Sequence, residues 1–261
     1  KMKICVVGYG YVGKAIVAAF DQGENIDYDI VDPAYKEYNN SLLEVMESCD
    51  AAVVCVPTPQ GEDGQCDDSI VLDVVESIGF DKPILIKSTT DIDTLQWFKE
   101  NYPNVCFSPE FLRGRSSVED FLDETKMIIG GEIDQAEGWM NVFQECLDIK
   151  DEAFLDIVEA GYVKYACNSF LATKVTFFND MFNLMQKAHP ELDYDSMVYA
   201  LSLDSRIGHS HTEVPGYDGK FGWGGHCFPK DTAAFVNFAE RQGSDLPLIR
   251  KARELNKIQR K

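Results

Sequence analysis

Cys227 has the surroundings that point most directly to chemistry. It lies in the segment FGWGGHCFPKD at 221–231, two residues before Pro229, which predicts the start of a helix, and close to Lys230. A helix N-terminus and a nearby ammonium both stabilise a thiolate, so we expect a lowered pKa and a nucleophilic sulfur. The alternative is a small buried hydrophobe, which is our interpretation of the other seven cysteines.

Other polar residues suit the stabilisation of charge during a reaction. Lys164 and Asn168 are four residues apart in a helical pattern, so they share one face. An ammonium beside an amide can stabilise a developing oxyanion. Glu110 follows a predicted strand end, the place where ligands bind in α/β proteins. Alone, each is also typical of an ordinary surface pair or loop carboxylate.

The N-terminal segment predicts a dinucleotide site. An apolar run at 4–7 leads into GYGYVG, in which Gly8 permits a tight turn, Gly10 admits a pyrophosphate and Gly13 lets the following helix pack closely. The helix N-terminus offers N–H groups to phosphates. Asp32, 19 residues past Gly13, ends the next predicted strand and can accept from ribose hydroxyls, which favours NAD over NADP.

These residues need a scaffold, and the hydrophobic pattern supplies one. Through residue 150, short apolar runs alternate with helical stretches, which predicts a doubly wound parallel sheet of the Rossmann type. The predicted strands are 4–7, 28–31, 51–56, 83–86, 105–107 and 127–129, and the predicted helices are 12–21, 41–48, 69–79, 92–100 and 134–147. We assign residues 1–150 to an α/β NAD-binding domain and 151–261 to an all-α central domain.

The helical part begins with a long predicted helix at 157–188, and helices follow from Pro229 to about 242 and from Pro247 onward. The pattern of the last helix is still periodic where the sequence stops, which suggests a longer ancestor. The long helix is apolar around most of its circumference, so the rest of the fold or a second subunit must bury it. We therefore predict a homodimer.

The composition narrows the partners. Lysine and arginine number 24 against 44 acidic residues, and the net charge of −20 disfavours nucleic acid and anionic membranes. No apolar run approaches the ~18 residues of a membrane span. Eight cysteines without a CxxC pair fit a reducing cytosol. His209 and His211 lack a carboxylate or thiol at ligand spacing, so we predict no metal site.

Taken in order, the motifs resemble the UDP-glucose/GDP-mannose dehydrogenase family over nearly the whole chain. They are GYGYVG at 8–13, VPTP at 56–59, KSTT at 87–90, SPEFLRG at 108–114, VKYACNSFLATKVTFFND at 163–180, DSRIG at 204–208 and FGWGGHCFPKD at 221–231. The resemblance implies that C6 of a nucleotide sugar is oxidised twice with two NAD, through a thiohemiacetal and a thioester on Cys227. The Phe111–Leu112 pair favours the glucose and mannose branch, and we expect UDP-glucose oxidised to UDP-glucuronate.

The resemblance also implies roles for further residues. Catalytic groups beside Cys227 are Lys164, Asn168, Asp231, Glu110 and Thr89. Cofactor contacts are Gly8, Gly10, Tyr11, Val12, Gly13, Asp32, Pro57, Thr58 and Thr89. Substrate contacts are Phe111, Leu112, Arg113, Lys164, Asn168, Arg206, Phe221, Gly224 and Lys230.

The chain departs from the family pattern in three places. Glycines stand at Gly114 and Gly161, where the family usually has Glu, and the sequence stops inside the helix after which the family continues into a substrate-nucleotide domain. The second hypothesis is therefore an NAD-binding dimerisation module with little or no activity. A third, a cysteine hydrolase using Cys227 and His226, is disfavoured because neighbours in a glycine-rich loop rarely face each other and hydrolysis needs no NAD.

Overall fold

The computed structural model of the chain describes residues 1–112 and 116–261. The chain forms two compact units, Lys1–Lys164 and Tyr165–Lys261. The first is an α/β unit and the second is helical.

The first unit is built on a seven-stranded sheet with the order β2-β1-β3-β4-β5-β6-β7. The strands are β1 Met2–Val7, β2 Ile26–Val31, β3 Ala51–Val54, β4 Ile84–Ile86, β5 Val105–Phe107, β6 Lys126–Gly130 and β7 Asp151–Leu155. All neighbours pair in parallel except β5 and β6, which meet in an antiparallel contact at Phe107 and Gly130. The α/β, mainly parallel architecture predicted from the sequence is confirmed.

Strand β7 was not among the predicted strands. It is an edge strand whose first two residues, Asp151 and Glu152, are exposed, so it lacks the apolar run that marks the buried strands. Its pairing with β6 adds a seventh strand to the sheet.

In the part of the chain that the structure describes, six helices surround this sheet, and a seventh begins in the first unit. They are α1 Tyr11–Phe20, α2 Leu42–Glu47, α3 Ser69–Ile78, α4 Ile92–Asn101, α5 Ser117–Leu122, α6 Ile133–Gln144 and α7 Ile157–Ala188. Only α5 was not predicted, because its six residues are too few to show a helical period. It packs against α1.

The core of the first unit lies on both faces of the sheet. Along β1, Ile4 and Val6 belong to one hydrophobic cluster and Cys5 and Val7 to the other, as the two-residue period of a strand requires. Burial of each large aliphatic side chain contributes about 1.5–3 kcal/mol. The sheet is thus a rigid platform, and its strand ends position the polar residues described below.

The second unit contains the rest of α7 together with α8 Tyr194–Ser202, α9 Cys227–Arg241 and α10 Pro247–Gln259. Helix α8 was not predicted, although Asp193 caps it by accepting from the amides of Asp195 and Ser196. Helix α9 begins at Cys227 and not at Pro229 as predicted. A proline fits the third helical position because first-turn N–H groups have no intrahelical acceptor. None of the helices that the structure describes has the length and apolar character to cross a bilayer.

Candidate dinucleotide and catalytic site

The turn between β1 and α1 has the geometry of a phosphate-binding turn. Gly8 adopts φ +97°, and a Cβ there would lie 2.5 Å from the carbonyl oxygen of Cys55. A Cβ on Gly13 would collide with the carbonyl oxygen of Gly8. At Gly10, by contrast, no described heavy atom lies within 4 Å of the Cβ position. The turn is therefore tight where it packs on the sheet and open where a pyrophosphate would approach α1.

Asp32 lies directly after β2, as predicted. Its Oδ2 accepts from the amide of Tyr9 at 2.7 Å and its Oδ1 from the amide of Ala34 at 2.8 Å. Because each carboxylate oxygen has a second lone pair, both can still accept from a ribose hydroxyl.

An aromatic cluster near the Asp32 carboxylate was not predicted from the sequence. The ring centroid of Tyr9 lies 5.4 Å from that of Tyr35 and 5.1 Å from that of Tyr38. The Nζ atom of Lys14 lies 5.5 Å from the Tyr9 centroid and 5.4 Å from the Tyr35 centroid. Tyr9 is distant in sequence from Tyr35 and Tyr38, so no local pattern predicts that the three rings meet. The carboxylate of Asp32 beside the glycine turn fits a nucleotide with a free 2′-hydroxyl.

The segments after β3 and β4 hold the remaining predicted cofactor contacts. Thr58 is buried, Thr89 is half-buried and Pro57 is exposed. The hydroxyl of Ser88, next to Thr89, donates to the carbonyl oxygen of Val56 at 2.7 Å. This bond ties the two segments together at the carboxyl ends of parallel strands, where cofactors bind in open α/β sheets.

Lys164 and Glu110 are brought together in the first unit. The buried Nζ of Lys164 donates to the carbonyl oxygen of Glu110 and forms an ion pair with its Oε1 at 3.3 Å. Glu110 Oε2 accepts from the amide of Leu112 at 2.9 Å. The Lys164 Nζ also lies 5.3 Å from the centroid of Phe111. An ammonium, a carboxylate and an aromatic ring therefore meet where β5 ends.

A second buried lysine was quoted in the KSTT motif but given no role. Lys87 Nζ donates to Ser108 Oγ at 3.0 Å. Burial lowers the pKa of Lys87 to about 8, although the negative charge of Glu110 opposes the shift. A lysine at the end of the apolar run ILIK is the signal that could have identified it.

The second unit brings Asn168 and Asp231 together. Asn168 Nδ2 donates to Asp231 Oδ2 at 2.6 Å, and Asp231 is 1% exposed. Among the described residues, Asp231 Oδ1 finds no hydrogen-bond donor, although Lys230 Nζ lies 4.0 Å away. A buried carboxylate oxygen with unused capacity is suited to receive a hydroxyl or a water.

Cys227 is the first residue of α9, one helical turn before Asp231, and it is exposed. Six of the other cysteines are buried and Cys167 is half-buried. Burial raises the pKa of Cys5, Cys55 and Cys106 to about 12. The thiol predicted to be the nucleophile is therefore the accessible one at a helix N-terminus.

The predicted substrate contacts differ in how exposed they are. Arg206 is exposed and paired with Asp204 at 2.6 Å. Phe111 and Phe221 are exposed, and Leu112, Gly224 and Lys230 are half-buried. Arg113 and Gly114 lie outside the described residues.

Gly161 has a packing role. A Cβ there would lie 2.5 Å from Cδ1 of the buried Leu95, so the Glu that the resemblance leads one to expect would fit only if Leu95 moved.

The doubly wound sheet, the glycine turn and the carboxylate after β2 define a dinucleotide-binding protein of the Rossmann type. Residues 30–147 match the NAD binding domain, and residues 158–258 the central domain, of the UDP-glucose/GDP-mannose dehydrogenase family. The chain belongs to this family, and NAD is its cofactor.

Three relatives illustrate the match. The chain is 31% identical to the UDP-glucose 6-dehydrogenase of Pseudomonas aeruginosa, over 99% of this chain and 66% of the relative. It is 30% identical to that of Rickettsia typhi, over 98% of this chain and 67% of the relative. The solved UDP-glucose dehydrogenase of Pyrobaculum islandicum superposes with a TM-score of 0.84 at 26% identity, over 99% of this chain and 68% of that one. The chain thus spans about two thirds of the length of these relatives.

Proposed function

We propose that the protein oxidises the C6 hydroxyl of UDP-glucose to the carboxylate of UDP-glucuronate, with two NAD as acceptors. The observation that carries the proposal is the exposed Cys227 at the start of α9, one turn from the buried Asn168–Asp231 pair, in a chain of this family. NAD, when bound, supplies the acceptor for the two hydrides that leave C6.

The residues of the first unit would hold the cofactor. Asp32 would accept from the adenine ribose, and the first turn of α1 would donate to the pyrophosphate. Thr58 and Thr89, at the ends of β3 and β4, would flank the nicotinamide.

Cys227 would act in the second half of the reaction. Its thiolate adds to the C6 aldehyde left by the first oxidation and forms a thiohemiacetal, and loss of a hydride from C6 gives a thioester. Water then attacks the thioester carbonyl, the carboxylate is released and the thiol is regenerated. The family relationship, the exposure of Cys227 and its place at a helix N-terminus support this route.

Buried polar groups would stabilise the oxyanions and handle the water. Lys164 offers an ammonium and Asn168 an amide, while Asp231 Oδ1 has capacity for a water or a substrate hydroxyl. Glu110 would assist thioester hydrolysis, because its carboxylate is held in place by Lys164 and by the amide of Leu112.

We further propose a homodimer formed through α7. Phe170, Phe177 and Leu184, spaced seven residues apart, are 67%, 52% and 59% exposed. A stripe of large apolar side chains at this spacing is typical of a helix that packs on a partner. Light scattering at micromolar concentration should give twice the mass of the chain, and a monomer would contradict the proposal. We place the enzyme in the cytoplasm, with polysaccharide biosynthesis as the use of its product.

One assay separates this function from the alternative, an NAD-binding module without catalysis. The formation of NADH and of UDP-glucuronate from UDP-glucose should be measured for the wild type and Cys227→Ala, with Cys167→Ala as the matched control. We expect the Cys227 variant alone to lose UDP-glucuronate formation. Tight NAD binding without NADH formation in the wild type would support the binding module, and GDP-mannose in place of UDP-glucose tests the sugar.

A further inference from the structure

The segment that leads to Cys227 needs support from outside. Residues 216–226, here the cysteine loop, contain five glycines and no helix or strand. Glycine loses more backbone freedom on ordering than any other residue. A loop of this composition holds one conformation only if other elements fix it.

Helix α10 supplies one support through Asn256. This buried side chain accepts from the amide of Trp223 through Oδ1 at 2.7 Å and donates to the carbonyl oxygen of Trp223 through Nδ2 at 2.8 Å. One side-chain amide thus satisfies both main-chain groups of one loop residue, as a neighbouring strand would.

Helix α7 supplies the second support. Asn179 Oδ1 accepts from the amide of Gly222 at 2.9 Å, and Asn179 Nδ2 donates to the carbonyl oxygen of Val175 at 2.8 Å. The indole Nε1 of Trp223 donates to Thr176 Oγ1 at 2.9 Å. Asn179, Thr176 and Trp223 are all buried, so water does not compete for these bonds.

Two glycines of the loop lie close to side chains at the end of α10. Gly222 has φ +68°, and a Cβ there would collide with Asn256 Oδ1. A Cβ on Gly224 would lie 2.5 Å from Nη2 of Arg260, the side chain that pairs with Asp218 at 2.7 Å. A side chain at position 222 would displace the Asn256 amide from Trp223, and one at position 224 would displace the Arg260 guanidinium.

We propose that Asn256 and Asn179 are positioning residues for Cys227. They fix the main chain at Gly222 and Trp223, four to five residues before the sulfur, and so hold Cys227 at the first position of α9. The main chain at Gly222 and Trp223 is therefore held by neutral side-chain amides, while Arg260 pairs with Asp218 elsewhere in the loop. This inference rests on the proposed role of Cys227 as nucleophile.

The test measures the reactivity of the Cys227 sulfur directly. The rate of Cys227 alkylation by iodoacetamide is measured against pH by peptide mapping, without NAD or substrate, for Asn256→Leu, Asn179→Leu and the wild type. Asn183→Leu is the matched control, because Asn183 lies one turn from Asn179 on α7 and is exposed. Lys230, Asp231 and His226, the charged and titratable neighbours in sequence, are unchanged in every variant.

We expect the midpoint of the alkylation profile to rise toward the unperturbed thiol value of about 8.5 in both test variants and to stay unchanged in the control. In the NADH assay, kcat should fall about tenfold or more while the Kd for NAD is unchanged. Wild-type profiles in folded test variants would overturn the proposal. If either leucine variant fails to fold, the isosteric Thr176→Val takes its place, because it removes the hydrogen-bond acceptor of the Trp223 indole. The alkylation midpoint of Thr176→Val must then shift in the same direction by a smaller amount. A wild-type profile in that variant would overturn the proposal.

Failure of the proposed function gives a different result. If another cysteine of the wild type alkylates first, or Cys227→Ala still forms UDP-glucuronate, Cys227 is not the nucleophile, whatever the asparagine variants do. If wild-type Cys227 is the reactive thiol and the asparagine variants match the wild type, the positioning role alone is wrong.

Discussion

The two units hold their functional residues by different means. In the first unit, two buried ammonium groups, Lys87 and Lys164, face the carboxylate of Glu110. In the second, the cysteine loop is held largely by neutral hydrogen bonds from Asn179, Asn256 and Thr176. Buried charges exert strong fields but are costly to desolvate, whereas neutral amides fix geometry at little electrostatic cost. The difference suits the roles proposed above, in which the first unit stabilises charge and the second presents Cys227 as the nucleophile.

The largest effect should come from removing the charge of Lys164. We expect Lys164→Met to lower kcat by about 10²–10³-fold, the usual loss when one oxyanion donor is removed. The Kd for NAD should not change, because Lys164 does not belong to the glycine turn or the Asp32 region. Steady-state NADH formation and calorimetric titration of NAD measure the two quantities. A weaker Kd for NAD with an unchanged kcat would assign Lys164 to cofactor binding instead.

Removing the charge of Lys87 should show how much a buried ammonium lowers the stability of the folded chain. Its pKa is lowered from 10.5 to about 8, so below pH 8 both folded and unfolded chains hold the proton and the folded chain bears the full penalty. Between pH 8 and 10.5 only the unfolded chain holds it, and the penalty fades as the pH rises. Lys87→Met should therefore be more stable than the wild type at pH 7, by about 3 kcal/mol.

Denaturant unfolding at pH 7 and pH 9.5 measures this difference. The advantage of Lys87→Met should shrink at the higher pH. The exposed Lys126→Met serves as the control, because an exposed ammonium has no desolvation penalty to remove. A difference that is the same at both pH values would show that Lys87 is not titrating in the folded protein.

The nucleotide end of the first unit should show a smaller effect. Asp32→Ala removes the acceptor for the ribose hydroxyls, and we expect NAD to bind about tenfold more weakly, as hydrogen bonds to a charged group contribute about 1.5–3 kcal/mol. The preference for NAD over NADP should narrow at the same time. Calorimetric titration of both cofactors tests this, and Asp27→Ala, on the exposed side of β2, is the control. Equal affinities in the wild type would remove Asp32 from this role.

The smallest effect should come from a neutral bond of the cysteine loop. Trp223→Phe removes the donor to Thr176 and should lower the free energy of unfolding by about 1 kcal/mol. Because neither partner is charged, the loss should be the same at low and high salt. Thermal unfolding at two salt concentrations would test this. A strongly salt-dependent loss would show that charges also hold the cysteine loop, and the two units would then not differ in the way described above.

Much of this arrangement could be predicted from local patterns. The bounds of α7, the glycine turn and the place of Asp32 each depend on neighbours close in sequence, and the structure has them where they were predicted. The contact between Lys164 and Glu110, 54 residues apart, was not predicted, although the family resemblance gave both residues catalytic roles.

The features that were missed depend on distant partners. Asn256 meets Trp223 across 33 residues, and nothing in the local sequence distinguishes it from an exposed asparagine. The first turn of α9 was missed because Pro229 is a favoured first residue, whereas here it is the third. Polar residues at the start of β7 concealed an edge strand.

The burial of the other thiols has a consequence for oxidative stress. Cys5, Cys55 and Cys106, with pKa values of about 12, hold almost no thiolate at neutral pH. Hydrogen peroxide reacts with accessible thiolates and converts them first to sulfenic acid. Peroxide should therefore oxidise Cys227 before it oxidises the cysteines of the hydrophobic core. A thiol reductant should regenerate the Cys227 thiol as long as the oxidation has stopped at the sulfenic acid.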